Sequence, residues 1–88
     1  MLEQTVTIVN KVGLHARPAA LLVKTASDFP GEVLLVKDDK TYNAKSILAI
    51  MSAGIKQNDI IVVRINGEGE AQVLESVIAL IKSGFGEN

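Results

Sequence analysis

His15 is the only histidine in the chain, and it stands in the run Gly13-Leu14-His15-Ala16-Arg17-Pro18, directly before a segment with helical spacing. Proline is tolerated in the first turn of a helix, where its missing N–H forfeits no intrahelical bond, so this order puts His15 at or beside the N-cap. The amides of residues 15 to 17 then point outward from the helix start. The backbone N–H groups of Ala16 and Arg17 become a cradle that the helix dipole makes attractive to an anion. The guanidinium of Arg17 adds a planar, permanently charged donor to the same space. An imidazole in that setting suits nucleophilic attack on a phosphorus centre, because amides and guanidinium favour a neutral ring and an incoming dianion, and they hold the phosphohistidine product where it forms. The same residues also suit a turn that only binds an anion, or a histidine that only caps a helix.

Other chemistry is sparse. With no cysteine there is neither a disulfide nor a thiolate metal site, and one histidine does not make a zinc site, so no metal and no cofactor is expected. Gly67-Glu68-Gly69 begins like a dinucleotide-binding glycine motif, but the third glycine does not follow at the right spacing and no parallel crossover unit surrounds it. Ser46 precedes the short apolar run Ile47 to Ser52 as a natural N-cap, a role worth about 1 kcal/mol.

Nine basic and ten acidic side chains give a net charge of −1, which excludes a broad nucleic-acid footprint and leaves proteins or small anions as partners. The start Met1-Leu2-Glu3-Gln4-Thr5 has no basic segment leading into an apolar run, and no stretch approaches the ~18 apolar residues of a membrane span. A cytoplasmic protein without membrane insertion is expected. Residues 1–88 read as one domain, and a chain of this size buries only about 60–65% of its unfolded surface. The core should be aliphatic, since 48% of residues are hydrophobic and Phe29, Tyr42 and Phe85 are the only aromatics.

The elements that must position His15 follow from periodicity. Residues 2 to 9 alternate, with Val6 and Ile8 on one face, and read as a half-buried strand. From Ala16 the positions Ala19, Leu22, Val23 and Ala26 have helical spacing up to the breaker Asp28-Phe29-Pro30-Gly31. Glu32 to Lys37 and Lys40 to Asn43 form a hairpin about Asp38-Asp39. A short helix after Ser46 is closed by Gly54, and Asp59 to Asn66 is the strongest strand, with an unbroken apolar run that suggests a central place. Glu70 to Ser83 carries the stripe Ala71, Leu74, Ile78 and Ile81, with Val77 beside it, and ends at Gly84. The order βαββαβα predicts an α+β fold, an antiparallel four-stranded sheet with three helices on one face. Ile47, Leu48 and Met51 cannot all face a small core from so short a helix, while Ala16, Ala20 and Leu21 lie near the turn. Scattered exposed apolar groups are ordinary, but clustered about a nucleophile they make a docking patch, which Lys24 and Lys45 flank and could fit to acidic partners.

Gly13-Leu14-His15-Ala16-Arg17-Pro18-Ala19 resembles the active-site signature of the HPr family, the histidine-containing phosphocarriers of the bacterial phosphoenolpyruvate:sugar phosphotransferase system. Lys45 to Gly54 is similar to that family's regulatory serine region, and length and element order agree over essentially the whole chain. The resemblance implies an open-faced β-sandwich. It implies that enzyme I, charged from phosphoenolpyruvate, passes a phosphoryl group to Nδ1 of His15, which delivers it to IIA domains of sugar permeases, with Arg17 on the phosphoryl oxygens. It also implies docking through the patch of Ala20, Lys24, Lys45, Ile47, Leu48 and Met51, and a monomeric carrier rather than an enzyme that turns over alone. Ala16 and Met51 are closer to the Gram-positive branch, where the serine matching Ser46 is phosphorylated by HPr kinase and the product serves a catabolite control protein. Val12, Ser27, Ala49 and Ala53 depart from residues frequent in the family. Two neighbouring functions share the resemblance, a purely regulatory relative and a carrier of a nitrogen-type phosphotransferase system, and His15 distinguishes a carrier from the first.

Overall fold

The computed structural model describes residues 1–87. Its elements are β1 (Leu2–Thr7), α1 (Ala16–Ser27), β2 (Glu32–Lys37), β3 (Lys40–Asn43), α2 (Ile47–Ser52), β4 (Ile60–Asn66) and α3 (Glu70–Lys82), followed by a 3₁₀ turn at Gly84–Gly86. The strands form one antiparallel sheet in the order β1-β4-β2-β3. This is the expected βαββαβα open-faced sandwich. Among the described residues no helix is long and apolar enough to cross a membrane.

Strand alternation sorts the sheet into two faces. Val6, Val33, Leu35, Ile61, Val63 and Ile65 are buried under the helices. The other face is open: Glu3 and Arg64, cross-strand partners, form an ion pair there with Nε 2.5 Å from Oε2. The apolar run of β4 does mark a central strand, but its surplus apolar groups lie on the open face, where Ile60 is 66% exposed. Two consecutive left-handed residues, Asp38 (φ 51°) and Asp39 (φ 65°), close the two-residue hairpin between β2 and β3.

Each helix buries one stripe. In α1 it is Pro18, Ala19, Leu22 and Ala26; in α2 Ile50 alone; in α3 Val77, Ile78 and Ile81. Ala71, expected on the α3 stripe, is instead exposed beside Gln4 and Leu74 in an open groove of about 370 Å³ where the first turn of α3 passes the edge strand. Val23 is only half-buried for the same reason of position, at the rim of the α1 stripe. The first strand stops at Thr7 rather than residue 9, because Ile8 leaves the ladder to bond the loop before β4. Its N–H donates to the Asp59 carbonyl at 2.9 Å, and its carbonyl accepts from the Asn58 N–H at 2.7 Å.

Two carboxylates tie the loops down. Asp59 accepts from the Lys56 backbone N–H at 2.8 Å and pairs with Lys37 at 3.0 Å; these bonds, the backbone one foremost, hold it below the usual carboxylate range. Glu70 accepts from the Gly67 N–H at 3.1 Å and pairs with the Met1 amino group at 3.2 Å, with the same effect, again led by the backbone bond.

Candidate functional site

The loop before α1 is set by Gly13. Its φ of +63° lies in the left-handed region, and a Cβ there would stand 2.4 Å from the Ile55 carbonyl oxygen and 2.7 Å from the Lys56 Cα. A glycine is therefore required twice over, by dihedral and by contact. The next residue, Leu14, is buried and donates its N–H to the Ile55 carbonyl at 3.0 Å, which anchors the chain just before the helix.

His15 is the N-cap of α1, extended at φ −83° and ψ −166°, with its carbonyl accepting the Ala19 N–H at 2.9 Å. Its side chain makes no capping bond, so the ring projects outward and is 44% exposed. Among the described residues no protein acceptor meets the N–H of Ala16 or Arg17, and the exposed guanidinium of Arg17 has no ion-pair partner. These are the unmatched donors that open any α-helix, here beside an imidazole.

The imidazole has a neighbour from the far end of the chain. Nε2 lies 3.3 Å from Oε2 of Glu87. A carboxylate only accepts, so Nε2 carries the ring hydrogen and Nδ1 the lone pair in the neutral ring. The other oxygen, Oε1, accepts from Nδ2 of Asn10 at 3.0 Å, and the same Nδ2 donates to the Gly13 carbonyl at 2.8 Å. Glu87 reaches this place because Gly84 (φ 69°), Phe85 (φ 58°) and Gly86 (φ 74°) are all left-handed, turning the chain back while Phe85 enters the core.

Sequence reasoning passed over both Asn10 and Glu87. Asn10 stands just beyond the stretch expected as the first strand and Gly84 at the expected end of a helix, and neither position alone points to a site. The available signal was the aromatic residue flanked by glycines in Gly84-Phe85-Gly86, which marks a tight turn with a buried anchor rather than a fraying tail.

The second candidate region is α2. Ser46 is its N-cap, half-buried, and Oγ accepts the Ala49 N–H at 3.1 Å. Gly54 follows at φ +63°, the left-handed stop. With Ile50 as the buried anchor, Ile47 (42%), Leu48 (81%) and Met51 (44%) are exposed. α1 and α2 pack against each other, and Ala20 and Lys24 are exposed on α1. Lys45 is differently placed from Lys24: its ammonium donates to the Phe29 carbonyl and lies 6.0 Å from the centre of that ring, pinning the loop after α1. Among the described residues no group of three or more His, Cys, Asp or Glu could hold a metal ion.

Residues 2–83 match the family described as the PTS HPr component phosphorylation site. The chain is 38% identical over 87 residues to the phosphocarrier protein HPr of Neisseria meningitidis serogroup A, covering 99% of this chain and 98% of that protein. It is 42% identical over 82 residues to the HPr-like protein Crh of Halalkalibacterium halodurans, covering 93% and 98%. The crystal structure of HPr-C-His from Thermoanaerobacter tengcongensis superposes with a TM-score of 0.96 at 46% identity, covering 100% of this chain and 99% of that one. The chain belongs to the HPr/Crh family of phosphocarrier proteins of the phosphoenolpyruvate-dependent phosphotransferase system.

Proposed function

We propose that Nδ1 of His15 is the phosphoryl acceptor, loaded by enzyme I and unloaded by IIA domains of sugar permeases. The observation that carries this reading is the bond between Nε2 and Glu87, which leaves the lone pair on Nδ1. In the transfer, that lone pair forms the N–P bond as the donor's bond to phosphorus breaks, and the donor's leaving atom keeps the bonding pair. The ring keeps its hydrogen on Nε2, and the positive charge it acquires lies against the Glu87 carboxylate. The N–H groups of Ala16 and Arg17 and the Arg17 guanidinium bind the phosphoryl oxygens, supported by their having no other partner among the described residues. Delivery to an acceptor reverses the step.

Ala20, Lys24, Ile47, Leu48 and Met51 form the landing surface for both partners, with Lys45 shaping its edge. Ser46 is the site of regulation by HPr kinase. A phosphate there displaces the neutral cap at the start of α2 and sets negative charge beside the exposed apolar groups, which opposes docking of enzyme I and creates a surface for a catabolite control protein. The carrier works as a cytoplasmic monomer. Labelled phosphoenolpyruvate, enzyme I and a purified IIA domain test the relay: label should reach the IIA domain only when this protein is present, and His15→Ala should stop it. Label reaching the IIA domain equally well through His15→Ala contradicts the assignment.

A further inference from the structure

We propose that Asn10 is a positioning residue for phosphoryl transfer, holding the Glu87 carboxylate so that His15 presents Nδ1. The inference rests on His15 being the phosphoryl acceptor and concerns what keeps its ring in the productive state.

Asn10 is the one buried polar side chain among the described residues, 4% exposed. Nδ2 donates twice, to the Gly13 carbonyl and to Glu87 Oε1, and since both partners only accept, the orientation of the amide is fixed. Its Oδ1 is buried without a hydrogen-bond partner. An unmatched buried carbonyl costs stability, so a side chain kept only to fill this space would do better without it. What the asparagine adds is a forked donor, and the fork joins the loop that carries His15 to the carboxylate that faces His15.

No other group takes that part. A recess of about 280 Å³ beside the carboxylate is lined by Val9, Asn10, Lys11, Gln57 and Glu87. Nε2 of Gln57 is engaged with the Val9 carbonyl at 3.1 Å, and Lys11 forms no ion pair among the described residues. Asn10 and His15 thus divide the two carboxylate oxygens between them. With Oε1 held, Oε2 stays on Nε2, the ring hydrogen stays there too, and the lone pair is on Nδ1 before a donor arrives. During transfer the Nδ1–P bond forms, the donor–P bond breaks with its pair leaving on the donor, and the ring's new positive charge meets a carboxylate already in place. Without the amide, Glu87 hangs from the end of a short turn and is free to swing into water.

The test is a double-mutant cycle on the full chain with phosphoramidate as donor, a small reagent that loses ammonia as its P–N bond breaks and engages no docking surface. Asn10→Ala and Glu87→Ala should each slow loading of His15 by about tenfold. Each should lower the Nε2–H tautomer fraction in the ring ¹⁵N spectrum, and the double variant should be no worse than either single one. A wild-type rate and ring spectrum for Asn10→Ala overturns the proposal. So does a double variant slowed by the product of the two single effects, which would make Asn10 a support of the Gly13 loop alone. Should Asn10→Ala not fold, Glu87→Ala keeps the bond to Gly13 and must by itself shift the tautomer; an unchanged ring spectrum then overturns the proposal. The ring spectrum needs no phosphoryl uptake, so failure of the carrier reading is told apart from failure of this one.

Discussion

At the scale of single residues, Glu87 sets its carboxylate against the imidazole, while the task proposed for Arg17 is the opposite one of holding phosphoryl oxygens. The exposed guanidinium has no ion-pair partner among the described residues, so Arg17→Ala should leave thermal unfolding within about 0.5 kcal/mol of the parent. Its phosphoryl transfer should slow on the order of 100-fold, as expected when a donor to developing negative charge is removed. Stopped-flow transfer and a melting curve on the same sample check both halves. The places of His15 at the N-cap and of Arg17 in the first turn were legible in the sequence because a first-turn proline followed by helical spacing is a local signal. Glu87 was not, since it lies 72 residues from His15 and arrives only through a left-handed phenylalanine, which no propensity favours. Asn10 was hidden for the related reason that its partners are a backbone carbonyl and that same distant carboxylate.

At the scale of elements, α1 carries His15 at its start and α2 an exposed apolar surface, and in α2 the cap that supports the helix is separate from the exposed side chains proposed to dock. Ser46→Ala removes the N-terminal side-chain cap of that helix and should cost about 1 kcal/mol in denaturant unfolding. Leu48 is 81% exposed, so Leu48→Ala should leave stability unchanged while weakening binding of enzyme I, read by calorimetry with both proteins in solution. Gly13→Ala should damage both, because its Cβ meets backbone rather than a side chain that can move aside. The helices and the β2–β3 hairpin were readable from periodicity and from Asp38-Asp39. The end of β1 was not, because Ile8 satisfies its backbone with Asn58 and Asp59, a pairing that local alternation does not encode.

At the scale of the whole molecule, one sheet with one covered face carries the His15 turn, which meets the returning C-terminal segment at Glu87. Acid should release the two loops that Asp59 and Glu70 tie to this sheet. Asp59 and Glu70 are both held below the ordinary carboxylate value by hydrogen bonds and pairing made in the folded state. Their contribution is present above the unfolded-state value of about 4 and is lost as pH falls through the lower folded values, so unfolding midpoints should drop below about pH 4 and not between pH 5 and 7. Asp59→Asn should flatten that acid slope. The central place of β4 was legible in its apolar run, whereas the open face of the sheet was not, because an unbroken run reads the same whether one face or both are covered. The claim on which everything else depends is that a phosphoryl group comes to rest on His15. Intact-mass measurement after incubation with phosphoenolpyruvate, magnesium and enzyme I should show one acid-labile phosphoryl group on the parent protein and none on His15→Ala; no labile phosphate on the parent, or an equal amount on the variant, would contradict it.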